Sequence, residues 1–402
     1  MTPLERRASF SLATVFASRM LGLFLVLPVF ALEAARYPGG ADAALVGLAM
    51  GIYGLTQGVL QIPFGLASDR LGRKRVILAG LVVFAGGSFV AAAADSLAWL
   101  VIGRALQGAG AVSAAVTALL ADQTRDVVRT KAMALVGASI GLMFALSLVA
   151  APALAAHIGL PGLFGITGGL ALACMAVVAW WTPPEPAAHS LAPRGRLRDV
   201  LVHAPLMRLN LGVFVLHAVQ LAMWVAVPAL LVQAGLDKER HWTVYLPVVL
   251  GSFVVMCATL FPLERRGYLR AVFLASIGLI GLVQVALAVV AAAPSVTVLA
   301  AVLLVFFCGF NVLEATQPSM ASRIAPSHAR GAALGVYNTL QSLGFFAGGL
   351  VGGWLVQHVG PGGLFAGCAA LMLLWLVVAW PMRAPGRHPT PESVLADEAQ
   401  AT

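Results

Sequence analysis

The chain of 402 residues is 60% hydrophobic and only 10% charged, with a mean hydropathy of +0.93. A soluble domain carries roughly a quarter charged residues, so the composition excludes an ordinary soluble protein and points to lipid. The net charge of +9 does not mark a nucleic-acid binder either: with the N-terminus inside, twenty of the 25 Lys and Arg residues fall on the cytoplasmic side, Arg36, Lys238 and Arg240 fall outside, and Arg19 and Arg104 fall within helices. That asymmetry is the positive-inside pattern and predicts both termini in the cytoplasm.

A span needs about 20 mostly apolar residues. Twelve such stretches are read, at 10–32, 43–66, 75–94, 97–121, 131–156, 161–181, 207–233, 243–263, 270–292, 296–320, 332–356 and 361–382. They are too long and too continuously apolar for barrel strands, so they read as helices. The fold class is an all-α membrane protein with twelve transmembrane helices in two six-helix halves. The first stretch shows no small-residue cleavage site and is expected to remain as a helix.

Taken in chain order, span 1 carries Arg19, a cation that needs a partner or water, and ends at Glu33. Glu33 reads either as an entry-site acid for protons or as an exposed rim charge. Span 2 repeats Tyr53, Gln57 and Gln61 every four residues, a polar stripe that either lines a cavity or bonds to a neighbouring helix. The loop to span 3 is "GLASDRLGRKR", Gly65 to Arg75. Asp69 there stands at the C-terminal end of a helix, where the dipole disfavours it. Arg73, one turn on, and the N-terminal end of span 11 near Gly331 are candidate partners. Gly65 allows close helix approach and Gly72 the tight turn, while Arg70, Lys74 and Arg75 can reach lipid phosphate.

Span 4 carries Arg104, which reads as a structural or proton-relay cation. The segment 182–206 is a cytoplasmic linker that opens on a Pro-rich turn and has an amphipathic stretch from Arg196 to Leu206, readable as an interfacial helix. It separates residues 1–181 from residues 207–382, and 383–402 form a polar tail. Span 7 holds His217, which titrates in a useful range, together with Met223 and Trp224. Glu314 is the one acid well inside a span. Desolvation suits it to carrying a proton, and a fixed pair with a neighbour such as Arg19 is the alternative. Asn311 shares its face in span 10, and Asn338 and Gln341 form a stripe in span 11. "RTKAMALVG" (129–137) and "HARGAALGV" (328–336) repeat weakly at the same point of each half, as in transporters built from parallel repeats. The four cysteines, Cys174, Cys257, Cys308 and Cys368, all lie in spans without CxxC spacing and read as small buried hydrophobes.

The loop "GLASDRLGRKR" resembles the loop 2–3 motif of the major facilitator superfamily, Gly-x-Leu-Ala-Asp-Arg-x-Gly-Arg-Lys, and "GRALQGAGAV" resembles its span-4 motif through Arg104, Gln107, Gly108 and Gly110. The resemblance runs along nearly the whole chain. It is nearest to the twelve-span drug/proton antiporters, and "SRMLGLFLVLPVF" and "FNVLEATQPS" point to a subgroup of inner-membrane proteins there. It implies the major facilitator fold, a bacterial-type inner membrane, and a loop 2–3 latch that closes the cytoplasmic gap. In that latch Asp69, Arg73 and Asp122 would form a charge chain meeting the start of span 11 at Gly331. The span-5 antiporter motif is altered, with Ala151 before Pro152 and Ala155-Ala156 after it.

These readings point to a secondary active transporter, with proton-coupled export of small lipophilic or cationic compounds by alternating access. Proton-coupling candidates are Glu314, His217, Arg104 and Glu33. Cavity-lining candidates are Arg19, Tyr53, Gln57, Gln61, Gln107, Met223, Trp224, Asn311, Asn338 and Gln341. Import of a small solute or of a metal such as copper is the alternative, although no Met-x-x-x-Met or His-x-x-x-Met pair stands inside a span. No nucleotide-binding loop or HExxH is present, which speaks against ATP drive and an intramembrane enzyme; a non-transporting sensor is a further reading. The expected partners are the lipid bilayer, protons and a small-molecule substrate, with no nucleic acid, no cofactor and no metal, and the chain is expected to act as a monomer.

Overall fold

The structure, a computed structural model, describes residues 1–185, 200–326 and 330–382. The interior of the linker, His328 of the second repeat segment and the 383–402 tail lie outside the described residues.

Among the described residues, ten helices are long and apolar enough to cross a membrane. Two of them are double. Asp126–Ala176 has 51 residues and Arg330–Ala379 has 50, and each is interrupted by a non-helical glycine, Gly159 (φ 61°) and Gly360 (φ 73°). A straight helix of that length would run about 75 Å against a hydrocarbon core of about 30 Å, so each is long enough for two spans joined at its glycine. Divided there, the described residues are consistent with twelve spans: α1 (Pro3–Ala34), α2 (Ala43–Leu71), α3 (Arg73–Ala92), α4 (Leu97–Asp122), α5 and α6 on either side of Gly159, α7 (Ala204–Gln233), α8 (Trp242–Arg265), α9 (Leu269–Val290), α10 (Val296–Ile324), and α11 and α12 on either side of Gly360.

The two corners are built alike. Gly159 and Gly360 take a left-handed φ that glycine adopts without strain. Three residues on, a Cβ at Gly162 would strike Ile158 at 2.4 Å and one at Gly363 would strike Val359 at 2.5 Å. The Leu-Phe pairs that follow, Leu163-Phe164 and Leu364-Phe365, are fully buried. The opposite ends of α6 and α12 are also held in parallel ways. Lys74 at the start of α3 donates to the Thr182 carbonyl (2.6 Å), and Arg270 at the start of α9 donates to the carbonyls of Met382 (2.7 Å) and Trp380 (2.6 Å). Bases at helix C-termini satisfy carbonyls that hydrocarbon cannot.

Two spans are broken midway. α1 is interrupted between Phe24 and Leu27, ahead of Pro28, and α4 between Ala109 and Ser113, so a ten-residue limb, Ser113–Asp122, starts inside the bundle. The α4 break follows from close packing: a Cβ at Gly110 would stand 2.5 Å from the Gly80 carbonyl oxygen of α3.

The halves meet along a seam of glycine. On α2, a Cβ at Gly47 would fall 2.1 Å from the Gly349 carbonyl of α11, at Gly51 2.7 Å from that of Phe346, and at Gly54 2.3 Å from that of Ser342. α11 is pressed against α7 in the same way, with Gly344 and Gly348 on the carbonyls of Phe214 (2.4 Å) and Ala218 (2.1 Å). Missing side chains let backbones touch, which is how helices pack where lipid gives no hydrophobic drive. The seam occupies the end of the bundle remote from the basic 65–75 loop. There the Ala44 N–H, already capped by Asp42, also lies 3.1 Å from the Gln357 carbonyl oxygen across the seam.

Candidate functional site

The second half holds a polar cluster among apolar side chains. His217 on α7 places Nδ1 2.8 Å from the Val213 carbonyl, one turn back, so Nδ1 is the protonated nitrogen. Its Nε2 lies 3.0 Å from Glu314 Oε1 on α10 and 2.7 Å from the Gln341 amide nitrogen on α11. Three helices therefore converge on one imidazole. His217 is buried, whereas the Glu314 side chain is 34% exposed. Aromatic rings surround the pair: Phe345 meets the imidazole edge-on at 4.9 Å and Phe310 at 6.2 Å. Phe310 and Phe307 continue to Phe144 of α5 at 6.4 and 5.9 Å, and Phe144 to Phe24 of α1 at 5.0 Å. The aromatic chain thus crosses from one half to the other beside the carboxylate.

The first half concentrates positive charge. Arg104 donates to the Ala49 (3.4 Å) and Met50 (3.2 Å) carbonyls of α2 and to Gln107 (3.0 Å), which donates in turn to Ser88 (2.8 Å). Arg19 donates to Ser113 and to Gln57 (3.1 Å). Tyr53 lies between them, with the guanidinium carbons of Arg104 and Arg19 5.0 and 6.0 Å from its ring centroid. The considered Arg19–Glu314 pair is thus replaced by His217–Glu314.

Other expected site residues take different positions. Asn311, expected beside Glu314, donates to Ser252 of α8 (2.9 Å) and ties two helices of one half. Met223 and Trp224 are buried in the second half, where the sulfur accepts from Gln284 (3.1 Å) and the indole meets Tyr245 edge-on at 5.5 Å. They face helix packing and a small void against Phe306 and Phe307 instead of an open cavity. Gln61 is buried with an unpartnered carbonyl oxygen, and Asn338 is half-buried, its backbone carbonyl accepting from Ser342.

At the basic end, Arg73 pairs with Asp69 and with Asp122 (3.1 Å) and donates to Ser68 (2.7 Å), so the expected charge chain is assembled within the first half. Arg70 is exposed, Gly65 packs toward Ala114, and Gly331 has open space where a Cβ would stand. One participant escapes sequence inspection. Glu185, the acid in "TPPEP", accepts from the N–H groups of Arg73 (3.0 Å) and Lys74 (2.6 Å) and caps α3 from the linker. An acid among prolines at a helix end was its only signal.

At the opposite end, Glu33 corrects the exposed-rim reading. It is 4% exposed, because Lys238 reaches across from the loop after α7 to its Oε1 (2.5 Å) while Arg36 holds Oε2 (3.2 Å). Burial, then the Glu33 charge, raises the pKa of the Tyr37 phenol nearby. The halves are therefore bridged by an ion pair on the glycine-seam side.

The family model described as Major Facilitator Superfamily matches residues 12–348 and 262–400. The inner membrane transport protein YajR of Escherichia coli (strain K12) is 41% identical over 99% of this chain and 89% of its own length. The multidrug resistance protein MdtH of Aeromonas salmonicida is 26% identical over 86% of this chain and 84% of its own. Among solved structures, the human organic anion transporter MFSD10 (TETRAN) superposes with a TM-score of 0.70 at 18% identity, covering 94% of this chain and 100% of that one.

Proposed function

The chain belongs to the Major Facilitator Superfamily and is a secondary transporter, and on that footing we propose that it exports small lipophilic or cationic compounds from the cytoplasm in exchange for protons. The observation that carries this reading is the His217–Glu314–Gln341 cluster. With Nδ1 committed to the Val213 carbonyl, Nε2 and Glu314 Oε1 stand 3.0 Å apart, and Oε1 accepts no hydrogen bond among the described residues, so a small reorientation lets one proton pass between them. When the carboxyl holds it, Nε2 is bare and accepts from the Gln341 amide. When the imidazole holds it, Glu314 is a carboxylate and the amide turns its oxygen to Nε2, a half-turn that exchanges its O and N with little other movement. A carboxylate one-third exposed beside aromatic rings suits a lipophilic cation, whose charge and proton compete for one site. The name of the MdtH relative agrees with drug export.

In this reading the basic end faces the cytoplasm, by its Lys and Arg excess, and the protein sits in the inner membrane, as does the YajR relative. The seam and the Glu33–Lys238 pair then close the outer side, and the Asp69–Arg73–Asp122 chain is the inner latch for the alternate state. The test is lumenal pH in proteoliposomes holding a proton gradient, as lipophilic cations, neutral drugs and copper are added in turn. A substrate-triggered pH change in wild type, lost in Glu314→Gln, is expected. No change with any compound in oriented, folded protein, or an undiminished change in Glu314→Gln, would overturn the proposal.

A further inference from the structure

Two guanidinium groups of the first half lie buried mid-span. Among the described residues no carboxylate lies within ion-pair distance of Arg19 or Arg104, which are 4% and 2% exposed. An unpaired ion in so apolar an interior is costly, so what answers each charge is decisive. Arg104 is answered by the protein itself: every nitrogen donates, two of them to helix carbonyls, and the Tyr53 ring faces it at 5.0 Å.

Arg19 is not answered in this way. The Phe84 and Tyr53 rings stand 5.8 and 6.0 Å from its guanidinium carbon, and the Ser113 hydroxyl and the Gln57 carbonyl accept from its terminal nitrogens, but its buried Nε has no acceptor among the described residues. Ser113 is moreover the first residue of the inner limb of α4. That limb turns its first-turn N–H groups and the positive end of its dipole toward mid-span, beside a fixed cation. Two positive elements side by side repel each other unless something negative stands between them. Tyr53, whose ring centroid lies 6.0 Å from the Arg19 guanidinium carbon, carries a buried hydroxyl with no partner among the described residues. The Arg19 Nε–H and the Tyr53 hydroxyl can both donate, so the ligand that fits them is an acceptor carrying negative charge.

We propose that Arg19, Ser113 and Tyr53 form a mid-membrane anion site in the first half, which takes a compact monoanion: a carboxylate on the transported molecule or a halide. The second half carries the Glu314 carboxylate, so each half holds a group complementary to one sign of charge. Use of the site in transport rests on the transporter reading above; binding of the anion does not.

Binding is measured on purified protein in detergent, at constant ionic strength with bulky isethionate as the reference anion. The thermal unfolding midpoint, read by intrinsic tryptophan fluorescence, is followed as benzoate or chloride replaces isethionate. Wild type should show a saturable upward shift. Arg19→Gln should weaken anion affinity at least roughly tenfold, as loss of a charge-assisted bond does, and Arg19→Lys should restore part of it. Tyr53→Phe, which keeps the ring, reads the same site should Arg19→Gln fail to fold. A shift with benzoate assigns a carboxylate, and a shift with chloride alone assigns a halide. No shift in wild type, or equal shifts in wild type and both Arg19→Gln and Tyr53→Phe, overturns the site. In proteoliposomes, transport of a zwitterionic rhodamine relative to its cationic methyl ester should fall in Arg19→Gln. Failure to transport either dye with anion binding intact would count against the export reading and leave the site standing.

Discussion

Replacing Gly47 by alanine adds one methyl group where α2 and α11 touch backbone to backbone. Its Cβ would stand 2.1 Å from the Gly349 carbonyl oxygen and 2.9 Å from Gly353 Cα. Both are main-chain atoms and cannot rotate aside. Relaxing the shorter contact to 3.0 Å parts the helices by roughly 0.9 Å, which also loosens Gly353 against the Ala43 carbonyl. Overpacking of this kind costs about 1–3 kcal/mol. The cost falls only on the state in which this end is closed, so the ratio of open to closed molecules should rise about 5- to 150-fold. Each half keeps its own packing, and the variant should fold. Spin labels at Ala41 and His358, both exposed near the two helix ends, would report a longer inter-label distance gaining population in Gly47→Ala. A distance distribution and a transport rate indistinguishable from wild type would refute the reasoning.

Two further variants probe the ends of the bundle. Asp69→Asn removes the charge that pairs with Arg73 and should leave the fold intact while slowing transport at least roughly fivefold; a well-folded variant with wild-type rate would sink the latch reading. Glu33→Gln should favour opening of the other end by about 1–2 kcal/mol, given that Lys238 is partly exposed. The double exchange Glu33→Lys with Lys238→Glu should recover part of that loss in a double-mutant cycle, and zero coupling energy would remove Glu33–Lys238 from the account.

Much of the architecture was legible because hydrocarbon leaves a chain few choices. The apolar runs located the spans, and the four-residue spacing of Asp69 and Arg73 anticipated their pairing, which the structure makes across the Gly72 turn between α2 and α3. The partner of Glu314 was not legible. His217 lies 97 positions earlier in the chain, and only the packing of α7 against α10 brings the two within 3.0 Å. Glu33 looked exposed for a similar reason, because its cover comes from a loop of the other half. Glu185 was hidden because its partners are backbone N–H groups, which no side-chain pattern reveals. A closer repeat than the one at 129–137 and 328–336 also stands in the sequence: "HIGLPGLFG" from His157 and "HVGPGGLFAG" from His358 encode the two matching corners at Gly159 and Gly360.

The glycine seam has a consequence for how temperature acts on the protein. When an ordinary interface parts, its long side chains regain rotamer freedom, up to about 2 kcal/mol each for the most flexible, and heating pulls it open. Along α2 and α11 the touching groups at Gly47, Gly349 and Gly353 are peptide units. Such a joint forfeits no side-chain disorder on closing and regains none on opening. The populations of the two states should therefore drift little between a cold and a warm cell, leaving the charges at either end, and whatever occupies the middle, to decide which way the molecule faces.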